Sequence, residues 1–214
     1  FDNVQIQANQ VITPILFRFF KEESDNANQL IKRLTHVWFY FSIGIATFLA
    51  LWIPEIFPFL YRNPELQGSA PLAVILIFAF CYRPLYVAAV DRSIYYKNTM
   101  PILWITVLSA ILNVIINLIF IPQFGVFSSA IATVLCYTIL PLLAFAILKE
   151  NRVFIREINP VILSAITGVL GAFCYLIIEI ETLYRVGLTA VLFALFIAVY
   201  QFKIKKLIKI LQSE

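Results

Sequence analysis

Residues 101–148 read PILWITVLSAILNVIINLIFIPQFGVFSSAIATVLCYTILPLLAFAIL, without one Asp, Glu, Lys or Arg. A helix crosses the hydrocarbon core of a bilayer, roughly 30 Å thick, in about 20 mainly apolar residues. The stretch is long enough for two crossings, and Ile121-Pro122-Gln123-Phe124-Gly125 places a turn between them. The spacing therefore predicts one span over 101–121 and a second over 126–148. Barrel strands would alternate apolar and polar over about ten residues. These runs are continuous and about twice that length, so they are helices.

Working outward, the same criterion predicts spans over 37–60 and 71–90 on one side and over 160–180 and 186–202 on the other. Proline opens three of them, at Pro71, Pro101 and Pro160, where a missing N–H in the first helical turn costs nothing. Residues 4–20 look like the tail of a further crossing, unusually polar for a lipid-facing helix, with Gln5, Gln7, Asn9, Gln10 and Thr13. The chain enters mid-pattern at Phe1-Asp2-Asn3-Val4, with neither an initiator Met nor a basic leader. The expected architecture is an all-α integral membrane protein, the C-terminal part of a longer one. It has six full transmembrane helices plus the end of a preceding one. Residues 1–20 end a truncated helix, 21–36 form a cytoplasmic amphipathic connection, and 37–148 hold four spans. Then come a cytoplasmic loop (149–159), the final two spans (160–203) and a basic cytoplasmic tail (204–214).

Composition agrees. Apolar residues make up 62% of the chain and charged residues 13%, about half the share that a soluble domain needs for its wetted shell. Cys81, Cys136 and Cys174 all fall inside apolar runs and read as small packing residues. The net charge of +4 is not spread evenly. Thirteen of the 16 basic residues lie in alternate connections, among them Arg18, Lys32, Arg92, Lys97, Lys149 and Lys203. Only Arg62 and Arg185 lie in the others, and Arg83 lies inside a span. Positive residues stay on the cytoplasmic side, so the basic face and the C-terminus are cytoplasmic. The charge points to anionic membrane lipids rather than nucleic acid, and the Lys-rich tail suits their headgroups.

No pattern for catalysis, cofactor binding or metal ligation is present, and the outer connections are too short for an external active site. Glu55, Glu179 and Glu181 sit at outer ends of spans and read as solvated; His36 reads as a solvated residue at a loop end. No acidic residue is expected at mid-depth. Arg83 is the exception among the charges, about twelve residues into its span. An intramembrane arginine costs at least about 2.5 kcal/mol and faces a partner, a cavity or, by snorkelling, the interface. Tyr82, Pro84 and Tyr86 beside it favour the wetter face. Asn113 and Asn117, one turn apart, share a face that is either interhelical glue or the lining of a polar path. Gly125, Ser129 and Thr133, flanked by Ser128, Ala132 and Cys136, form a small-residue stripe that permits close helix approach.

The run Asn113-Val114-Ile115-Ile116-Asn117-Leu118-Ile119-Phe120-Ile121-Pro122-Gln123-Phe124-Gly125-Val126, followed by Ala130-Ile131-Ala132-Thr133, resembles the polysaccharide-biosynthesis flippases. These are the O-antigen and exopolysaccharide exporters of the multidrug/oligosaccharidyl-lipid/polysaccharide (MOP, MATE-like) superfamily. Thr13-Pro14 and the charged run after it look like an earlier helix and cytoplasmic loop of the same family. Ser128-Ser129 departs from the family's usual Gly-Ala, a small-for-small exchange. The resemblance implies a MATE-like C-terminal lobe, partnered by an N-terminal lobe around a central cavity in a bacterial or archaeal inner membrane. It implies as cargo an undecaprenyl-pyrophosphate-linked oligosaccharide. No family motif fixes Arg83, but it is the residue placed to meet the pyrophosphate, and Tyr86, Asn113 and Asn117 are expected along the path. A lipid II flippase or a drug exporter of the same superfamily, a membrane polymerase or transferase, and a non-transporting subunit are the rival expectations.

Overall fold

The computed structural model describes residues 2–22, 25–148, 159–178 and 182–199. The regular elements among them are all α-helices: α1 (Asp2–Glu22), α2 (Asp25–Leu60), α3 (Pro64–Gln67), α4 (Ala70–Phe80), α5 (Arg83–Tyr95), α6 (Met100–Phe124), α7 (Val126–Ile147), α8 (Pro160–Leu176) and α9 (Thr182–Val199). Among the described residues four stretches are long and apolar enough to cross a membrane: Asn26–Leu60, Ala70–Tyr95, Met100–Phe124 and Val126–Ile147. They mark a multi-pass membrane protein and cover the four spans expected over 37–148. Helix α8 is apolar and shorter, at 17 residues. Residues 149–158, Glu179, Glu181 and the basic tail lie outside the described residues.

Two expected elements come out differently. The segment 21–36 is not a separate amphipathic connection, because from Asp25 onward it forms the first turns of α2. Its apolar residues Ala27, Leu30 and Ile31 are buried in the core with Leu16, Phe19 and Phe20 of α1, so burial rather than a membrane surface takes up this face. The expected span 71–90 is broken at Cys81 and Tyr82 and then runs on to Tyr95. Pro84, in the first turn of α5, has no N–H for the Phe80 carbonyl and its ring clashes there, so α4 stops at Phe80. Arg83 therefore opens a new helix instead of sitting within one.

Helix ends follow local chemistry elsewhere. Asn159 caps α8 by accepting the N–H groups of Val161 and Ile162, both at 3.2 Å, ahead of Pro160 in the first turn. The turn after α5 has Asn98 N–H bonding the Ser93 carbonyl and Lys97 N–H bonding the Ile94 carbonyl, a Schellman closure. Lys97 takes the left-handed position at φ 58°. Gly125 alone joins α6 to α7, at φ 63° and ψ −152°.

Helices α2, α4, α5 and α7 form the centre, with α1 on α2 and α5, α8 on α2, α4 and α7, and α9 on α2. Helix α6 leans chiefly on α7 and exposes Leu103, Trp104, Val107, Leu108, Ile111, Val114, Ile115 and Leu118. The hairpin closes on small residues. Ser128, Ala132 and Cys136 of α7 are buried, and the Cys136 thiol points to the Ser109 carbonyl of α6 at 3.5 Å. Ser129 and Thr133 stand half-buried beside them.

Candidate functional site

Helices α1 and α5 run parallel, as helices separated by one crossing must. Asp2 meets Arg83, Thr13 meets Asp91, and Phe17 and Phe20 meet Tyr95. Asp2, Gln5, Asn9 and Thr13 recur every three or four residues on α1, so one face of that helix carries polar groups into the bundle. A polar seam between α1, α2 and α5 is the result.

At one end of the seam the Arg83 guanidinium binds the Asp2 carboxylate at 2.5 Å, with both side chains partly exposed, 26% and 39%. The structural pairing foreseen for Arg83 is present, and its partner is an acid that the sequence reading did not place at mid-depth. Further along, the buried amide of Gln5 accepts the indole N–H of Trp38 at 3.1 Å. Further still, the Thr13 hydroxyl lies 2.8 Å from Asn9 Oδ1 and 2.6 Å from Oδ2 of Asp91, which is 5% exposed. None of these partners is adjacent in sequence, although the polar periodicity of 2–13 was a signal for them.

The other expected site residues divide into two pairs. Tyr86, one turn from Arg83 on α5, reaches across to α6, its hydroxyl 3.2 Å from the Thr106 hydroxyl. On α6, Asn117 donates from Nδ2 to the carbonyl and Oδ1 of Asn113, both at 3.0 Å. Both asparagines are half-buried along the edge of α6 that also buries Ile105 and Ser109. The Oδ1 of Asn117 is buried and accepts no hydrogen bond among the described residues. Among the described residues no hydrogen bond connects Arg83, Tyr86 and the Asn113–Asn117 pair to one another.

A second polar cluster ties α9 to α2. Arg185, expected in an outer loop, lies in the first turns of α9 and is 8% exposed. It bonds Glu55 at 2.7 Å and the Leu51 carbonyl at 3.1 Å. Glu55, expected to be solvated, is thus an ion-pair partner with 32% of its side chain exposed. Thr182 donates to it as well.

The outward side of α1 is also polar. Asn3, Gln7 and Gln10 are exposed together, with Val4 and Val11 among them and Pro14 in line. Comparison with protein-family models, with curated proteins and with solved structures finds no match for this chain.

Proposed function

We propose that this chain is one lobe of a membrane flippase that carries an undecaprenyl-pyrophosphate-linked oligosaccharide across the inner membrane of a bacterium or archaeon. In this reading six crossings between 37 and 202 form a MATE-like C-terminal lobe, with the basic connections and the C-terminus cytoplasmic. The transported glycan serves O-antigen, capsule or exopolysaccharide synthesis, and no covalent bond changes. Lipid II bears the same pyrophosphate and would be handled by the same groups.

The observation that carries the reading is the exposed amides Asn3, Gln7 and Gln10 on α1, the helix whose bundle-facing side holds the Arg83–Asp2 pair. Moving one unpartnered amide from water into hydrocarbon costs about 4–8 kcal/mol, so three of them on one face suit a polar path far better than lipid tails. A pyrophosphate entering that path needs its charge matched as water is lost. Arg83 can release Asp2 and take phosphate oxygens in its place, because a guanidinium fits them in bidentate fashion. Leaflet translocation by the full-length protein tests this. Arg83→Ala should lower the rate by about tenfold or more, the loss of one charge-assisted bond of about 1.5–3 kcal/mol, with Arg83→Lys in between. Undiminished transport in both variants removes the role assigned to Arg83.

Asp2 favours a second reading, a cation-coupled exporter of amphipathic molecules, since a carboxylate at the level of Arg83 supplies the intramembrane acid such coupling uses. Asp2→Asn abolishing cation-driven efflux while Arg83→Ala spares it would select this reading.

A further inference from the structure

The hydrogen bonds around Asp91 contain a proton-counting problem. Thr13 Oγ1 lies within bonding distance of two acceptors, Asn9 Oδ1 and Asp91 Oδ2. A hydroxyl has one proton to give, so three oxygens converge on a single hydrogen. The site sits between two helices, with Asp91 5% exposed and Thr13 its one hydrogen-bonding partner among the described residues. Asn9 and Thr13 are half-buried beside it, and a buried carboxylate with one neutral donor is under-solvated.

One added proton resolves it. With Asp91 protonated, its O–H donates to Thr13 Oγ1, and the Thr13 O–H donates to Asn9 Oδ1. With Asp91 ionised, the chain closes only if the Asn9 amide turns over, so that Nδ2–H donates to Thr13 and Thr13 donates to the carboxylate. Both states link the same three side chains in an unbroken chain of hydrogen bonds, and they differ by one proton and a reversal of the chain; the protonated state leaves no under-solvated charge. We propose that Asn9, Thr13 and Asp91 form a proton-binding site at the contact between α1 and α5. The proton bound on Asp91 Oδ2 is exchanged with water, and the Asn9 amide rotates as it leaves.

Charges on the neighbouring helices do not take over Asp91. Helix α1 brings Asp2, which is held by Arg83, and Arg18, Lys21 and Glu22, all exposed near its end. Helix α2 brings Lys32, Arg33 and His36, with His36 Nδ1 at the Lys32 carbonyl. From α7 come only Cys136 and Tyr137, neither charged, and on α5 itself Arg92 stands over the Phe20 ring at 5.9 Å. The carboxyl is therefore governed by its two polar neighbours on α1. The inference does not depend on what the chain transports.

Infrared spectroscopy of the full-length protein in liposomes, titrated with pH, reads the carboxyl directly. The wild type should show a hydrogen-bonded protonated-carboxyl C=O band that disappears reversibly as pH rises. Asp91→Asn, which keeps the shape, should lose the band at every pH. Thr13→Val should keep the band but shift it to the position of a carboxyl with a weaker bond, and Asp2→Asn should leave it in place. An unchanged band in Asp91→Asn, or a position unaffected by Thr13→Val, overturns the assignment. So does removal of the band by Na⁺ at constant pH, which would make the occupant a metal cation.

Discussion

Replacing Gly125 with alanine isolates a backbone effect from a packing effect. The α6–α7 hairpin turns on this one residue, whose φ of 63° and ψ of −152° fall in a region that only glycine occupies readily. A Cβ added there meets nothing within 4 Å, so no clash contributes and the cost is conformational, about 1–3 kcal/mol. Gly168 is the matched control. It lies inside α8, and a Cβ there also meets nothing within 4 Å, so Gly168→Ala should gain about 0.5–1 kcal/mol from helix propensity. The two variants should differ by about 1.5–4 kcal/mol in equilibrium unfolding from mixed micelles, with Gly125→Ala the less stable. If Gly125→Ala unfolds with the wild type or with Gly168→Ala, then the turn is not held by its glycine, and the hairpin geometry argued above is wrong.

Two further substitutions test the described helix contacts. Lys97→Gly should stabilise the fold by about 1 kcal/mol, because the Schellman position at φ 58° strains a lysine and not a glycine; an unchanged or lower unfolding midpoint would refute this. Arg185→Met should destabilise by about 1–3 kcal/mol, less than the 3–5 typical of a broken buried pair, since the released Glu55 is 32% exposed and regains water. The same unfolding measurement checks it, and Arg185→Met with wild-type stability would show that the clamp between α2 and α9 carries no weight.

Spans were legible in the sequence because length and absence of charge are local properties. Residues 101–148 announce a hairpin through an uncharged run, and α6 and α7 follow that outline, except that α6 runs on through Pro122 to Phe124 and leaves Gly125 alone as the turn. The break before Arg83 was half-legible: Pro84 signals a lost hydrogen bond, but whether a helix kinks or stops depends on its neighbours. The amphipathic stretch 21–36 misled for a similar reason. An apolar stripe that would suit a membrane surface is equally suited to a protein core, and Leu30 and Ile31 found α1. Partners were illegible. Asp2 and Arg83 are 81 residues apart, Gln5 and Trp38 are 33 apart, and Glu55 and Arg185 are 130 apart. Asn113 and Asn117 lie one turn apart, so their mutual bond was readable, whereas their place at the α7-facing edge emerged only from packing.

Two arginines inside the described helices share an arrangement that Asp91 reverses. Arg83 and Arg185 each meet a carboxylate from another helix, α1 in one case and α2 in the other. In each pair the acid is the more exposed partner, so water shares its charge and the arginine is the group that depends on the contact. Asp91 reverses this arrangement. It is the more buried member of its contact, it is met by a hydroxyl and not a cation, and that hydroxyl is also claimed by an amide oxygen. The two ion pairs brace the bundle by joining opposite charges across helices. A carboxyl answered only by neutral groups cannot be a brace of that kind; its contact with α1 changes strength and direction with a single proton. If α1 moves relative to α5 as the protein works, the Asp91 end of the seam is where protonation would be felt, and the Arg83 end is where an incoming anion would be.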